Sequence, residues 1–320
     1  MRVIFLGTPE FAAIPLEALA HDARYQVVGV VTQPDRATGR SRAPEPPAIK
    51  RAALQLGIPV FQPESLRDPA AVEQLDALQP DVGVVAAYGE ILRKNVLAIP
   101  PHGYLNIHPS LLPRHRGPTP VPGAILAGDT ETGVTVMLLD AKMDSGPILA
   151  QQRVQLPADA RNDILTEHLF TLGSALLLEA LAGYAAGTLV PRPQDDSQAT
   201  YTKLLKKEDG LIDWSDAAVQ IERMTRAYHP WPSAHTSWRG QPFKLIAVRA
   251  HNEWVGSAPP GTLLSQTDGV WVATGAGAIE LLTIQPAGKR PLAGADWWRG
   301  LKQITGARLG EQLGAVTNDE

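Results

Sequence analysis

Arg2-Val3-Ile4-Phe5-Leu6-Gly7-Thr8-Pro9-Glu10 is a short apolar run that stops at a glycine and turns into a proline-led segment. Such a run reads as a strand buried on both faces, and strands of that kind belong to parallel sheets covered by helices. Comparable runs at 25–32, 58–61, 81–87, 104–107 and 133–139 alternate with helix-like stretches. The chain is therefore expected to open with an α/β domain whose sheet is doubly wound and mainly parallel. At the first turn Thr8 is predicted as a helix N-cap with Pro9 at the first helical position, which accounts for Gly7 and Pro9 without a ligand. The dinucleotide fingerprint G-x-G-x-x-G is not there, because Pro9 and Ala12 stand where its later glycines belong.

The pattern changes further along. A helix-like run at 161–184 leads into 187–199, where Pro191, Pro193, Asp195, Asp196 and Ser197 read as a linker. All seven tryptophans lie between Trp214 and Trp298, and short β-type runs recur at 234–238, 243–248, 261–265, 269–274 and 278–284. These predict a small barrel or sandwich. A length of 320 residues, beyond the ~250–300 at which one core stops growing, agrees with two domains. The expected division is a catalytic domain at 1–186, a linker at 187–205 and a second domain at 206–320.

Composition narrows the chemistry. A hydrophobic fraction of 44% with 19% charged residues is that of a globular chain and excludes disorder throughout. With no cysteine, there is no disulfide framework, thiol nucleophile or thiolate metal site. The eight histidines show no ligand spacing, so no metal is expected. A net charge of −4 carries no global signature of a nucleic-acid binder, and any such role must rest on a local patch. No apolar stretch is expected to reach the ~20 residues of a membrane span, so a cytoplasmic, monomeric enzyme without membrane contact is anticipated.

The candidate chemistry sits in Asn106-Ile107-His108-Pro109-Ser110-Leu111-Leu112-Pro113-Arg114-His115-Arg116-Gly117. Residues two apart on a strand share a face, so Asn106 and His108 point the same way at the carboxyl end of a central strand, where open parallel sheets bind ligands. An amide donor beside an imidazole suits acyl transfer: Asn can bond a developing oxyanion, and His can do so or shuttle a proton. A satisfied structural His–Asn pair is the alternative. Asp144, in the loop after the run at 133–139, can reach the imidazole if that strand neighbours the one carrying Asn106. Otherwise Asp144-Ser145-Gly146 is an ordinary turn. A Ser-His-Asp hydrolase is not supported, since no G-x-S-x-G elbow follows a strand and Ser110 lies in a Pro-flanked loop.

The stretch from Asn106 to Pro113, followed by Gly117 and later by Asp144, resembles the signature of the folate-dependent formyltransferases. Some members carry only the first domain, whereas those acting on a nucleotide-sugar amine or on a tRNA carry a second, barrel-like one. The loop 32–42, which contains Arg36, Arg40 and Arg42, is similar to the insertion by which the tRNA-directed branch grips the acceptor end. Between 35 and 51 there are five basic residues (Arg36, Arg40, Arg42, Lys50, Arg51) against two acidic (Asp35, Glu45), a run that is otherwise a solvated loop. Val60-Phe61-Gln62-Pro63, Ala87-Tyr88-Gly89, Pro230-Trp231-Pro232 and Gln285-Pro286-Ala287-Gly288-Lys289 are similar to the same branch in the same order, so the resemblance runs end to end. Two departures stand out: Pro118-Thr119-Pro120-Val121-Pro122 replaces small residues leading into a helix, and Arg42-Ala43 replaces paired lysines.

The resemblance implies 10-formyltetrahydrofolate as formyl donor and methionyl initiator tRNA as acceptor. It implies Asn106 and His108 as oxyanion donors. Asp144 either orients His108 or takes the amine proton itself. Ser110, Leu111, Leu112 and Pro113 would bind the folate, while Gly89, Ile91 and Leu92 with 141–144 would wall the pterin. Lys206 and Lys207, at the start of an OB-like second domain, join Arg36, Arg40 and Arg42 as candidate tRNA contacts. A nucleotide-sugar formyltransferase and a catalytically silent RNA-binding protein of the same fold are the alternatives.

Overall fold

The structure, a computed structural model, describes residues 1–37, 44–267, 269–301 and 306–311. Arg40 and Arg42 lie outside them. The chain divides into two compact units, one made of Met1–Pro120, Thr130–Leu156 and Ile164–Lys203, the other of Val121–Asp129, Pro157–Asp163 and the chain from Leu204 onward.

The first unit contains β1 (Arg2–Gly7), α1 (Ala13–His21), β2 (Gln26–Val31), β3 (Arg36–Ala37), β4 (Pro44–Glu45), α2 (Ala48–Gln55), β5 (Val60–Phe61), α3 (Pro69–Ala77), β6 (Val82–Ala86), α4 (Lys94–Leu97) and β7 (Tyr104–His108). Then α5 (Pro120–Ala127), which falls almost wholly in the second unit, precedes β8 (Glu131–Leu138), β9 (Ile148–Gln155) and α6 (Asn162–Ala185). The sheet has seven strands in the order β5-β2-β1-β6-β7-β8-β9. The first five are parallel. β8 and β9 run antiparallel to their neighbours, so the run at 133–139 reverses the direction expected of it.

Side chains of successive strand residues go to opposite faces. Val3 and Phe5 join Leu16 and Leu19 of α1, Ile49 of α2 and Phe170, Leu177 and Leu181 of α6 in one core. Ile4 and Leu6 join Leu75 of α3, Val96 of α4, Tyr88 and Tyr104 in the other. Each fully buried Leu, Ile or Phe contributes on the order of 1.5–3 kcal/mol, and this double coverage explains why the strands are apolar throughout.

Two local expectations are corrected. Thr8 does not cap a helix: Pro9 precedes a short 3₁₀ turn, Glu10–Ala12, and the Thr8 hydroxyl donates instead to the Tyr88 carbonyl at 2.9 Å. That bond ties the end of β1 to the loop after β6. In addition, the 24-residue α6 is long and apolar enough to cross a membrane by length and composition. Leu165, Leu169, Phe170, Leu177 and Leu181 are buried along it, so its hydropathy serves the core. The proline run at 118–122 delivers the first turn of α5, whose leading N–H groups have no intrahelical acceptor in any case.

The second unit holds α7 (Ala218–Ala227), β10 (His235–Trp238), β11 (Gln241–His251), β12 (Leu263–Gln266), β13 (Gly269–Ala273), β14 (Ala278–Pro286), β15 (Leu292–Ala293) and α8 (Gly294–Arg299). Its strands form one antiparallel sheet in the order β10-β11-β14-β13-β12, with β15 on β14. Residues 307–310 reach both edges: Leu263 N–H donates to Ala307, Leu309 N–H to Gly261, and Gly310 N–H to Ser237.

Candidate active site

β7 is buried along its length, with Leu105 and Ile107 in one core and Tyr104, Asn106 and His108 facing the other way. In register, Asn106 stands beside Val85 of β6 and Met137 of β8, and His108 beside Thr135. The two polar residues thus share the face on which the chain leaves the sheet at its carboxyl edge.

Asn106 is buried, yet its side-chain amide makes no hydrogen bond to any described residue. Its amide atoms are not among the fully enclosed polar atoms that lack a partner, so the amide keeps an opening to solvent and can donate to an atom that enters the site. His108 is fully engaged on one side. Its Nε2 lies 2.9 Å from the backbone carbonyl of His115, and since a carbonyl only accepts, Nε2 carries the proton. Nδ1 faces Asp144, with Oδ1 at 3.7 Å. That is longer than a hydrogen bond.

Asp144 arrives by an indirect route. β8 ends with Leu138 opposite Leu105, at the far end of β7, so residues 139–147 must climb back over the face to bring the carboxylate level with His108. Asp144 adopts φ +50°, a left-handed conformation uncommon for a residue with a side chain. Its Oδ2 accepts the backbone N–H of Gly117 at 2.7 Å. Gly117 itself sits at φ +110°, and a Cβ there would lie 2.6 Å from the Thr202 carbonyl oxygen.

The loop 109–114 is anchored to β8 and β9. Ser110 is fully buried, and its hydroxyl donates to the Arg114 carbonyl at 2.7 Å. Thr135 Oγ1 donates to the Ser110 carbonyl and accepts the Leu112 N–H, while Gln151 donates to the Leu112 carbonyl. Leu112 packs on Met137 and Ile148. The side chains of Ser110 and Leu112 therefore build the loop, and Leu111 and Pro113 are the half-exposed members.

The residues expected to wall a pterin divide in the same way. Leu92 is core, whereas Gly89 is exposed and Ile91 is 64% exposed. Met143, on the other expected wall, is 46% exposed. Glu90 fixes the first wall by accepting from the Ser65 hydroxyl and the Leu66 N–H.

Of the basic candidates, Arg36 is exposed on β3, which pairs antiparallel with β4, and Lys206 and Lys207 are exposed where a short turn begins. Lys50 is spent differently: its ammonium pairs with Asp35 at 2.8 Å. Hydrogen bonds from Gln62 and then Lys50 hold the Asp35 carboxyl below the usual carboxylate range. Arg51 donates to the Pro46 carbonyl. Only part of the basic excess at 35–51 is therefore free for a phosphate.

Sequence reasoning missed Arg116 and Gln194. Arg116 is 2% exposed, and its guanidinium donates to Gln194, Tyr201 and Asp196. Burial by itself would lower Arg116, but the Asp196 and Tyr201 hydrogen bonds outweigh it and hold the group charged. Among the described residues no group of three His, Cys, Asp or Glu side chains could hold a metal ion.

Residues 1–181 match the family Formyl transferase and residues 204–302 match Formyl transferase, C-terminal domain. The class is thus that of the two-domain formyl transferases. The methionyl-tRNA formyltransferase of Roseiflexus sp. (strain RS-1) is 62% identical over 320 residues, 100% of this chain and 98% of that protein. That of Chloroflexus aurantiacus (strain ATCC 29366 / DSM 635 / J-10-fl) is 58% identical over 97% of this chain and 100% of its own length. This chain belongs to the methionyl-tRNA formyltransferase family. A solved N-formyltransferase from Helicobacter canadensis, in complex with folinic acid and dTDP-3-aminofucose, shares the fold with a TM-score of 0.63 over 87% of this chain and 98% of that one, at 16% identity.

Proposed function

We propose that this protein transfers a formyl group from 10-formyltetrahydrofolate to the α-amino group of methionyl initiator tRNA, in the cytoplasm and as a single chain, with Asn106, His108 and Asp144 as its catalytic residues. The observation that carries the site assignment is the unpartnered Asn106 amide on the same strand face as His108, with Asp144 3.7 Å from the ring.

Formyl transfer to an amine passes through a tetrahedral oxyanion at the formyl carbon. Asn106 is the preorganised donor for that oxygen, and such a donor is worth ~2.7–4 kcal/mol in a site shielded from water. Because Nε2–H of His108 is given to the His115 carbonyl, only Nδ1 is left for chemistry. In the neutral ring Nδ1 accepts, so His108 can take the proton that the attacking amine sheds. Once protonated, the same nitrogen donates to the oxyanion or to the leaving folate nitrogen. Asp144 faces that nitrogen and steadies the charge that forms there.

The donor's pterin suits the walls that this chain offers. Ile91 and Met143 leave apolar surface open to solvent on the two loops, and Gly89 adds no side chain between them and a flat ring. On the acceptor side, Arg36, Arg40, Arg42, Lys206 and Lys207 are the proposed phosphate contacts, each neutralising backbone charge without reading sequence.

The deciding experiment offers the protein 10-formyltetrahydrofolate with methionyl initiator tRNA, a UDP-amino sugar and glycinamide ribonucleotide in separate reactions. Formyl on the tRNA alone is the expected result. Formyl on the sugar amine would move the protein to the other two-domain branch, and formyl on none would remove the enzymatic reading.

A further inference from the structure

Two backbone carbonyls of the loop that carries Asp144 are held by one side chain from 50 residues away. Gln194 Nε2 donates to the Asp144 carbonyl at 2.9 Å and to the Gly146 carbonyl at 2.7 Å. The Oε1 of the same carboxamide accepts from Arg116 Nε at 3.0 Å and from a terminal guanidinium nitrogen at 2.8 Å. Gln194 is therefore a joint with both ends loaded.

The far end of the joint is stiff. Arg116 is enclosed, pairs with Asp196 at 2.6 Å and reaches the Tyr201 hydroxyl at 3.1 Å. Its backbone is bridged to residues 200–202: Arg116 N–H donates to the Thr200 carbonyl and Thr202 N–H to the Arg116 carbonyl. The next residue, Gly117, supplies the N–H that grips the Asp144 carboxylate. Asp144 is consequently held at both ends, its carboxylate by Gly117 and its backbone, in a left-handed conformation, by Gln194.

We infer that Gln194 is a positioning residue for formyl transfer: through Arg116 it fixes where the Asp144 carboxylate stands relative to His108. This rests on the reading of Asp144 as catalytic. The loop from Leu139 to Pro147 has no regular secondary structure and is braced internally by Asp140, which accepts from Lys142 N–H and the Ser145 hydroxyl, whereas the bonds on Asp144 itself come from outside it, from Gly117 and Gln194. A displacement of about 1 Å at a reacting group can cost on the order of 100-fold in rate, which is the leverage available to Gln194.

Gln194→Glu separates positioning from packing. It keeps the size and the two bonds accepted from Arg116, but replaces the donor that holds both loop carbonyls with an acceptor that faces them. In the full-length protein it is expected to lower kcat at least 10-fold, with KM for tRNA and for the folate donor within about twofold, as for an interaction expressed in the transition state. The pH profile of kcat and the ring NMR titration of His108 should both move. In an Asp144→Asn background the change should add little, because the group that it positions has lost its charge.

Gln194→Met, which removes donor and acceptor together, serves as the second variant, with thermal unfolding measured on each. A lower melting temperature with unchanged kcat, pH profile and His108 titration would overturn the proposal and leave Gln194 a packing residue. So would a loss that multiplies fully with Asp144→Asn. An Asp144→Asn enzyme as active as the parent would instead overturn the catalytic reading of Asp144, whatever Gln194 does.

Discussion

The imidazole of His108 gives its Nε2–H to the backbone carbonyl of His115, seven residues on, at 2.9 Å. This bond selects the tautomer of the neutral ring and leaves Nδ1 as the nitrogen that faces Asp144. Nitrogen-15 NMR of the folded protein should show His108 protonated at Nε2 in its neutral form. A neutral ring protonated at Nδ1 would contradict the proton path given above.

On the proposed roles, Asn106→Ala, His108→Ala and Asp144→Asn should each lower kcat on the order of 100-fold or more with little change in stability or tRNA affinity, as expected of groups that act mainly in the transition state. The His108→Ala/Asp144→Asn double variant should be little worse than the poorer single if the carboxylate works through the ring. Losses that multiply would favour direct proton removal from the amine by Asp144.

Gly117→Ala tests the backbone that holds the carboxylate. A side chain at φ +110° is strained and meets the Thr202 carbonyl oxygen at 2.6 Å, so stability should fall by roughly 1–3 kcal/mol. Because the Gly117 N–H is a partner of Asp144, kcat should fall along with the melting temperature. Full activity in a destabilised variant would show that the carboxylate does not need this bond.

Residues 200–202 belong structurally to the first unit: Thr200, Tyr201 and Thr202 bond to Pro113, His115, Arg116 and Thr119. A catalytic fragment ending at Lys203 is therefore expected to melt at a higher temperature and bind folate more tightly than one ending at Gln198. Equal stability, read by calorimetry, would return 199–203 to the status of a free connector.

Arg36 and Lys50 should differ although both lie in the basic run. Arg36→Ala removes an exposed charge and should raise KM for tRNA while reducing the salt dependence of tRNA binding by about one unit in the log–log slope. Lys50→Ala breaks its pair with Asp35 and should alter local stability more than tRNA binding. The reverse ranking across a salt series would show that the phosphate contact lies at Lys50.

His229 gives a pH signature in the second unit. Burial first, then nearby Arg161, pushes it below its ordinary range, partly opposed by Asp163 at 3.7 Å. The unfolded chain therefore binds this proton first. The stability contributed is complete above the unfolded value of ~6.5 and is lost as pH falls through the lower folded value. His229→Gln should flatten the fall in melting temperature between about pH 7 and pH 5, and an unchanged slope would assign that fall to other groups.

What the amino-acid sequence determined by itself is what period and composition encode. The apolar runs around Val3–Leu6 and 81–87 read as buried strands because both faces are covered, and the two-residue period placed Asn106 and His108 on one face. All five β-type runs named between 234 and 284 are strands, since each alternates or carries aromatic and β-branched residues. β9 was not legible: Ile148–Gln155 is an edge strand, half exposed and polar, and it lacks the apolar signal of its neighbours. Only the tertiary structure decided how the site is assembled. The reversal of β8, the climb of residues 139–147 to His108, and the grip of Gln194 and Gly117 on Asp144 join positions distant in the chain, and the His115 carbonyl that selects the tautomer is brought to His108 by the fold of the loop between them. Most of these contacts use backbone N–H and C=O groups, which every residue but proline carries alike, so no residue type announces them.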